Sequence, residues 1–187
     1  MGLVEQLHDD IDSEKIWQEI YTLLLSQDEL KNLDQISLTS IDGNNDWTCS
    51  VGRISTLEYP ERYYSTINKT LAGTELEKTL NRYPQYYRWR LMKIDPKKTY
   101  SVHKDGNDIS DNLRIHIPLQ TNEGCFLCFY LTVPLNQKDS VVRHVHLETG
   151  KSYIVNTTGF HTAVNYGNTQ RYHLVGVKYE NSNNRTQ

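Results

Sequence analysis

The sequence predicts an α+β fold that consists mainly of β-strands. Two segments within the first 86 residues show helical periodicity, and from about residue 87 short β-type runs follow one another. Turn-forming residues, as in DPKK, TNEG and ETGK, separate these runs at regular intervals. Eight short strands with regular turns are typical of an antiparallel barrel or jelly roll. The N-terminal helices are then expected to buttress one sheet of the β core.

The two helical segments differ in how clearly their ends are marked. Four apolar residues of SEKIWQEIYTLLL share one helical stripe: Ile16, Ile20, Leu23 and Leu24. Asp12 and Ser13 are the candidate N-caps of this first helix, because their side chains can accept from backbone N–H groups of the first turn. A second helix is predicted in TELEKTLNRY, where Thr74 follows Gly73 and serves as the cap.

The β-type runs appear in the order YRWRLMKI, TYSVHK, LRIHIPLQ, CFLCFYLTV, VRHVHLE, SYIVNT, HTAVNY and RYHLVGVKY. We expect a single domain over residues 1–187. Residues 1–86 form its helical and mixed support, 87–180 its jelly-roll core, and the polar residues 181–187 a flexible tail.

Composition and charge exclude several classes of protein. The chain has 187 residues, 37% of them hydrophobic, and is therefore expected to be globular. A formal net charge of −3 gives no general attraction to nucleic acid or to an anionic membrane, and no apolar run reaches membrane-spanning length. The odd count of three cysteines and the start MGLVEQLHDD, which does not resemble a secretory signal, predict a cytoplasmic protein. Cys125 and Cys128 face opposite ways on a strand, so packing in the core is expected rather than a metal site.

A candidate metal site begins in TYSVHKDGND. His103 and Asp105 are two residues apart near a strand end, so both side chains are expected on the same face. With His161 from a later strand they make two histidines and one carboxylate, the ligand set of non-haem iron(II) oxygenases. The HxD pattern alone is weak, because His8 and Asp10 repeat it in the charged N-terminus. His144 and His146 are the reserve ligands.

Arginine residues flank this set. Arg171 follows His161 by ten residues across the turn YGNT, and a hairpin of that length would bring its guanidinium beside the metal. There it could pair with the distal carboxylate of a metal-chelating acid. Arg114 and His116 alternate in LRIHIPLQ, so both are expected to point inward as well.

The combination HKD, RIHIPL and HTAVNYGNTQRYHLV resembles the 2-oxoglutarate- and iron(II)-dependent oxygenases. It looks most like their aspartyl/asparaginyl β-hydroxylase-like branch, which includes a free-proline hydroxylase, and the resemblance covers about residues 87–180. It implies a double-stranded β-helix core of the jelly-roll, cupin-like kind. It also implies these roles: His103, Asp105 and His161 bind iron, Arg171 binds the far carboxylate of 2-oxoglutarate, His116 supports its metal-binding end, and Arg114 contacts co-substrate or prime substrate.

The activity implied by the resemblance uses Fe(II), O2 and 2-oxoglutarate as co-substrate, and it releases succinate and CO2. The expected reaction is hydroxylation of an unactivated carbon in an amino-acid or peptidyl substrate of the Asp, Asn or Pro kind. No nucleic acid and no membrane is expected as a partner, and the oligomeric state stays open. Because Asp105 is retained, halogenation, which in related enzymes needs this position vacated, is disfavoured. A small hydroxyl residue that holds 2-oxoglutarate in one member is replaced near Met92, where Arg90 and Tyr100 are the candidates to compensate.

Two questions stay open at the level of sequence. A cupin-like metal-binding module, or an isomerase that does not use 2-oxoglutarate, would show the same histidines, but it has no need of Arg171. Arg114 and Arg143 are surplus cations that would suit a substrate carboxylate, although Arg143 also fits a solvated strand position. The N-terminal region and the turn DGNDISDN are candidates for a lid.

Overall fold

The computed structural model describes residues 2–7, 9–105, 113–131 and 141–178. The predicted flexible tail at 181–187 lies outside these residues, as does all of the predicted lid turn after Asp105. Within the described residues the molecule is mainly β, with antiparallel strands in two facing sheets and two α-helices near the N-terminus. The predicted jelly-roll core with N-terminal supporting helices is confirmed.

The larger sheet has six strands. In spatial order they are β1 (Val4–Leu7), β10 (Ser152–Asn156), β7 (Leu113–Gln120), β12 (Arg171–Lys178), β5 (Tyr86–Ile94) and β2 (Gln35–Ser37). The smaller sheet contains β6 (Lys98–Thr99), β11 (His161–Asn165), β8 (Cys125–Tyr130) and β9 (Val142–Val145). A separate pair consists of β3 (Thr39–Ser40) and β4 (Thr66–Ile67). The six-stranded sheet therefore takes strands from both sides of residue 87.

The two helices begin where the capping residues predict. Helix α1 (Ser13–Ile20) is capped by Asp12, whose carboxylate accepts from the backbone N–H of Lys15 at 3.0 Å. It continues as a π-helical turn over Tyr21–Leu25. Helix α2 (Glu75–Asn81) is capped by Thr74. The other helical elements of the described residues are three 3-10 turns: Ile54–Thr56, Glu61–Tyr63 and Lys69–Leu71.

Both faces of the six-stranded sheet are covered, which explains why its central strands contain few exposed residues. Its outer face packs Trp89 and Leu174 against Ile16, Ile20 and Leu24 of the first helical segment. Its inner face meets the smaller sheet in a second apolar cluster, formed by Ile94, Leu127, Phe129, Leu147, Tyr153, Val155 and Ala163. A strand that is buried on both sides cannot alternate between apolar and polar residues, and any charged residue in it needs a partner or a cavity.

Two further observations concern close packing and thiols. Gly176 in β12 lies under the Trp89 ring, and a Cβ at this position would come within 2.9 Å of the indole. Cys125 and Cys128 are buried on opposite faces of β8, as predicted, and all three cysteines are free thiols. No helix within the described ranges is long and apolar enough to cross a membrane.

Candidate metal and anion site

His103 and His161 are joined through the backbone. They form an isolated antiparallel bridge, in which each N–H donates to the carbonyl of the other at 3.0 and 2.9 Å. Only Thr99 of the predicted strand TYSVHK belongs to a regular strand, β6, so the bridge with His161 fixes the position of His103. The two imidazole rings lie 4.4 Å apart between centroids. Asp105 follows in an irregular segment, and its N–H reaches the carbonyl of Thr157 at 3.4 Å.

The backbone also determines which ring nitrogen of each histidine is available. Nδ1 of His103 lies 2.7 Å from the carbonyl oxygen of Ser101, and Nδ1 of His161 lies 3.0 Å from that of Gly159. A carbonyl oxygen only accepts, so Nδ1 carries the proton in both rings. In the neutral ring Nε2 then presents a lone pair, which is the arrangement found in histidines that bind metals.

The three available donor atoms converge. Nε2 of His103 lies 3.5 Å from one carboxylate oxygen of Asp105, and Nε2 of His161 lies 3.9 Å from the other. All three donor atoms lie within 4.8 Å of one another, and this is the one such group of His, Cys, Asp and Glu found among the described residues. Two lone pairs and a carboxylate directed at the same point repel each other unless a cation lies between them. The residues therefore fit a metal ion.

Asp105 stays ionised although it is largely buried. Burial acts to raise the pKa of its carboxyl group, but the positive charges around it, Arg114 first, outweigh this effect and lower the pKa below its usual value. Nε of Arg114 lies 3.2 Å from the carboxylate. For His161, burial lowers the pKa, and Asp105 offsets this only in part, so the imidazole is neutral near neutral pH. Both groups are thus in the protonation state that metal binding requires.

These residues line one end of a cavity of about 990 Å³ between the two sheets. The cavity is strongly cationic. Its described lining contains six cationic side chains, Arg53, Arg88, Arg90, Lys104, Arg114 and Arg171, and one carboxylate, that of Asp105. Apolar residues of both sheets complete the wall: Leu127, Val155, Ala163 and Val175. Such a cavity favours a ligand that carries negative charge.

Arg171 reaches this cavity by a route that the sequence did not predict. The expected hairpin is wrong, because β11 pairs with strands of the smaller sheet and β12 with strands of the larger one. The turn YGNT instead carries the chain across from one sheet to the other. Asn165 stabilises the crossing, as its side chain donates to the carbonyl of Thr169 at 2.8 Å and accepts from the N–H of Gly167 at 3.0 Å. His161 and Arg171 consequently line the same cavity from opposite sheets.

Arg171 is 3% exposed, and its guanidinium has no carboxylate within salt-bridge distance among the described residues. Its neighbour is the imidazole of His173. Nη2 of Arg171 lies 2.8 Å from Nδ1 of His173, and Nε of Arg171 lies 3.0 Å from Nε2 of His173. A neutral imidazole accepts only one hydrogen bond, so at most one of these contacts is a hydrogen bond to the ring. Burial lowers the pKa of Arg171 to about 10. The group is nevertheless charged at neutral pH, and no carboxylate of the described ranges serves as its counter-ion.

Arg114 and His116 share the inner face of β7, as predicted, and both line the cavity. Arg114 pairs with Asp105, and also lies 3.8 Å from Glu61. Nδ1 of His116 is buried without a hydrogen-bond partner in the described part of the chain. Burial, followed by the charge of Arg171, lowers the pKa of His116 well below its usual value, so the ring is neutral.

A β-bulge positions Arg88, an arginine to which the sequence analysis assigned no role. The register between β5 and β12 shifts between Val175 and Val177, and Arg88 there adopts a left-handed φ of 49°. Arg88 forms a buried ion pair with Glu61 and donates to the carbonyls of Ser50 and Gly52, each at 2.9 Å. The available signal was the alternation in YRWRLMKI, which places arginines inside an otherwise apolar strand. Nothing in the sequence indicated Glu61.

Several other candidates lie away from the metal-ligand cluster. Arg143 and His144 are exposed on the edge strand β9 and are not part of the cavity wall, while His146 contacts the carbonyl of Cys125 at 2.8 Å. Met92 lines the cavity. The hydroxyl of Tyr100 donates to the carbonyl of Lys93 at 3.0 Å, and burial raises its pKa to about 12.

No protein-family model and no curated protein matches the chain. Solved structures do match. An oxidoreductase of the 2OG-Fe(II) oxygenase family from Burkholderia pseudomallei aligns over 54% of this chain at 14% identity with a TM-score of 0.41, and the chain spans about half of that protein, 47%. AviO1 from Streptomyces viridochromogenes Tue57 aligns over 91% of this chain and 82% of its own, at 12% identity and a TM-score of 0.47. A Pseudomonas putida prolyl-4-hydroxylase covers 57% and 59%, at 15% identity and a TM-score of 0.37. At this similarity, the activity of the present chain has to be inferred from its own residues.

Proposed function

We propose that the protein is a 2-oxoglutarate- and Fe(II)-dependent dioxygenase that hydroxylates an unactivated carbon of an amino-acid or peptidyl substrate. One observation carries this proposal. Two histidine Nε2 atoms and a carboxylate converge at one end of a cationic cavity, and a buried arginine without a carboxylate partner lines the same cavity from the opposite sheet. The first set suits a divalent iron, and the second suits an acid bound next to it.

The ligand set would be His103, Asp105 and His161. Nitrogen and oxygen donors from two histidines and one carboxylate suit non-haem Fe(II) and leave coordination positions open. The carbonyls of Ser101 and Gly159 hold the two rings in the correct tautomer. Arg114 holds the carboxylate from the other side, so that Asp105 is oriented and ionised before a metal arrives.

Arg171 would hold the distal carboxylate of 2-oxoglutarate. A guanidinium and a carboxylate can form two parallel hydrogen bonds, and in a buried site this pairing supplies orientation as well as energy. His173 supports the guanidinium from its own strand. His116, whose Nδ1 has no protein partner in the described chain, would hydrogen-bond to the end of the co-substrate nearer the metal.

Iron(II) and 2-oxoglutarate, when bound, would supply the oxidising chemistry. One atom of O2 enters the succinate that is released together with CO2, and the other becomes the oxygen of the product's hydroxyl group. The protein residues provide the conditions for it. The triad would supply three protein ligands to the metal, so that co-substrate and O2 could bind there as well. Arg171 fixes the direction of the co-substrate along the cavity. The apolar wall of Leu127, Val155, Ala163 and Val175 excludes water from the reacting carbon.

A cupin-like module that binds metal without 2-oxoglutarate would need the triad but not Arg171. Burying a guanidinium without a counter-ion is costly, and the cost is explained if an anionic ligand supplies the missing charge. The two functions therefore predict different results in a binding experiment with the metal and 2-oxoglutarate added in turn.

The test is anaerobic calorimetry with Fe(II) and then 2-oxoglutarate, on the wild-type protein and on His103→Ala, Asp105→Ala and His144→Ala. We expect one Fe(II) per chain, and 2-oxoglutarate binding that depends on the metal. His103→Ala and Asp105→Ala should lose stoichiometric Fe(II) binding, whereas His144→Ala, the matched control on the exposed edge strand, should keep it. Full Fe(II) binding by both triad variants would overturn the metal assignment. Fe(II) binding without any 2-oxoglutarate binding would support the cupin-like module.

A further inference from the structure

We propose that Arg90 binds a carboxylate group of the substrate beside the metal ligands. The inference rests on the proposed function and names the chemical class of substrate: an acid whose carboxylate lies close to the carbon that is oxidised. It differs from the expectation drawn from the sequence, in which Arg114 and Arg143 were the candidates to bind a substrate carboxylate.

Arg90 is buried in the centre of β5 and lines the cavity. Among the described residues its guanidinium makes one hydrogen bond, from Nη1 to the side-chain oxygen of Gln35 at 3.0 Å. Nε is buried and has no hydrogen-bond partner there. Gln35 thus holds one corner of the guanidinium, and the edge formed by Nε and Nη2 is left for a ligand. This edge can donate two parallel hydrogen bonds to a carboxylate.

The neighbouring arginines already have carboxylate partners, and Arg90 does not. Arg88 pairs with Glu61, and Arg114 pairs with Asp105. No carboxylate lies within 4 Å of the Arg90 guanidinium in the part of the chain that the structure describes, so no described residue forms an ion pair with it. Burial, followed by the charges of Arg88 and Arg114, lowers the pKa of Arg90 to about 9. The side chain is still protonated at neutral pH, and an anion is the ligand that this position lacks.

The co-substrate does not supply this anion. One carboxylate of 2-oxoglutarate is assigned to the metal end and the other to Arg171, so neither is left for a second arginine. Arg90 also lies at a different level of the cavity. It is opposite Val175, four residues along β12 from Arg171, which corresponds to about 13 Å along the strand. At this level it lies across β12 from His116, which pairs with Val175 from the other side, and it is within the electrostatic influence of Asp105.

A purely structural role for Arg90 would work through Gln35. The same Gln35 oxygen accepts from the N–H of Gly52 at 3.1 Å, so Arg90 could simply hold the segment around Gly52 in place. In that case its replacement should alter stability and leave ligand selectivity unchanged. Arg53 offers a matched control, because it also lines the cavity and carries the same charge but is exposed.

The experiment measures binding of a panel of free acids against the matching carboxamides, namely L-proline, L-aspartate, L-asparagine and short peptides that end in these residues. The protein is first loaded anaerobically with Fe(II) and then with 2-oxoglutarate, and each binding step is recorded separately by calorimetry and thermal unfolding. For the wild type we expect at least one acid to bind, and its carboxamide to bind at least about ten-fold more weakly. Arg90→Met should lose this preference, Arg90→Lys should restore part of it, and Arg53→Met should retain it.

Three results would overturn the proposal: an acid and its amide that bind the wild type equally, an Arg90→Met variant that keeps the wild-type preference, or a panel in which no acid binds. Loss of the 2-oxoglutarate step in Arg90→Met would also overturn it, because Arg90 would then bind the co-substrate. A wild-type protein that fails at the Fe(II) or 2-oxoglutarate step would contradict the proposed function instead, and the preference of Arg90 for acids over amides can still be measured in the unloaded protein.

Discussion

Replacing Arg171 with Met should weaken the binding of 2-oxoglutarate strongly without destabilising the unliganded protein. Met fills much of the same space without a charge. Arg171 is 3% exposed and its guanidinium has no carboxylate partner among the described residues, so its charge contributes to ligand binding more than to folding. This combination distinguishes a ligand-binding arginine from a structural one.

The magnitudes follow from the environment of the side chain. Burial lowers the pKa of Arg171 to about 10, and this shift corresponds to about 3 kcal/mol of unfavourable burial in the unliganded protein. Met removes this cost and also removes the contact with His173, a hydrogen bond to a charged donor that contributes about 1.5–3 kcal/mol. The two changes largely cancel, so the free energy of unfolding should change by no more than about 1.5 kcal/mol, or about 3–6 °C in Tm. Loss of the charged pair with the co-substrate should cost about 2–3 kcal/mol, which is a 30- to 150-fold weaker affinity.

The assay is calorimetric titration of 2-oxoglutarate into the Fe(II)-loaded protein, together with urea unfolding of the unliganded protein. Arg171→Lys is the matched variant, since it keeps the charge and loses the planar fork, and it should bind with intermediate affinity. The assignment is refuted if Arg171→Met binds 2-oxoglutarate as the wild type does. It is equally refuted if the variant loses more than about 2 kcal/mol of stability, because Arg171 would then be a structural residue.

Three further predictions concern the surroundings of the site. Arg114→Met removes the nearest cation from Asp105, so the unliganded protein should lose about 3 kcal/mol of stability. Fe(II) should then raise Tm by more than in the wild type, because the metal replaces the missing charge. An equal Fe(II)-induced rise in both proteins would contradict this. Glu61→Ala leaves the buried Arg88 without its carboxylate and should cost about 3–5 kcal/mol in urea unfolding, and a loss below about 1 kcal/mol would show that the pair is not needed. Burial, followed by the charge of Arg171, lowers the pKa of His173 well below 6.5, so below pH 6.5 the ring takes up a proton when the protein unfolds. The contribution of the neutral ring to stability is therefore complete above pH 6.5 and falls by about 1.4 kcal/mol per pH unit below it. His173→Gln should reduce the slope of stability against pH between about pH 6.5 and 5 by this amount, and an unchanged slope would refute the neutral, buried state of the ring.

The order of the strands and the cluster His103, Asp105 and His161 could be predicted because both depend on local patterns. Turn residues separate the strands along the chain, and an HxD pair needs only a two-residue spacing. The route of the chain after His161 could not be predicted in the same way. The turn YGNT is as suitable for a hairpin as for a crossing between sheets, and the choice depends on which strands β11 and β12 pair with.

The electrostatic partners were also beyond the reach of the sequence. Arg88 meets Glu61 across 27 positions, and Arg90 meets Gln35 across 55. No local periodicity links residues that far apart. The alternation in YRWRLMKI indicated a strand but did not indicate which arginine would be neutralised, because this depends on a β-bulge at Arg88 and on the segment folded over it. Contacts of this kind become visible only when both sheets are in place.

The most direct test of the central claim is the formation of succinate from 2-oxoglutarate in the presence of Fe(II) and O2. The purified wild-type protein is incubated with both, with and without the amino acids and peptides named above, and succinate is measured against Asp105→Ala and Arg171→Met. We predict succinate that depends on Fe(II) and on O2, increases when a substrate is present, and is lost in the Asp105 variant. An absence of succinate from a wild-type protein that has bound Fe(II), under every one of these conditions, would contradict the assignment as a 2-oxoglutarate-dependent oxygenase.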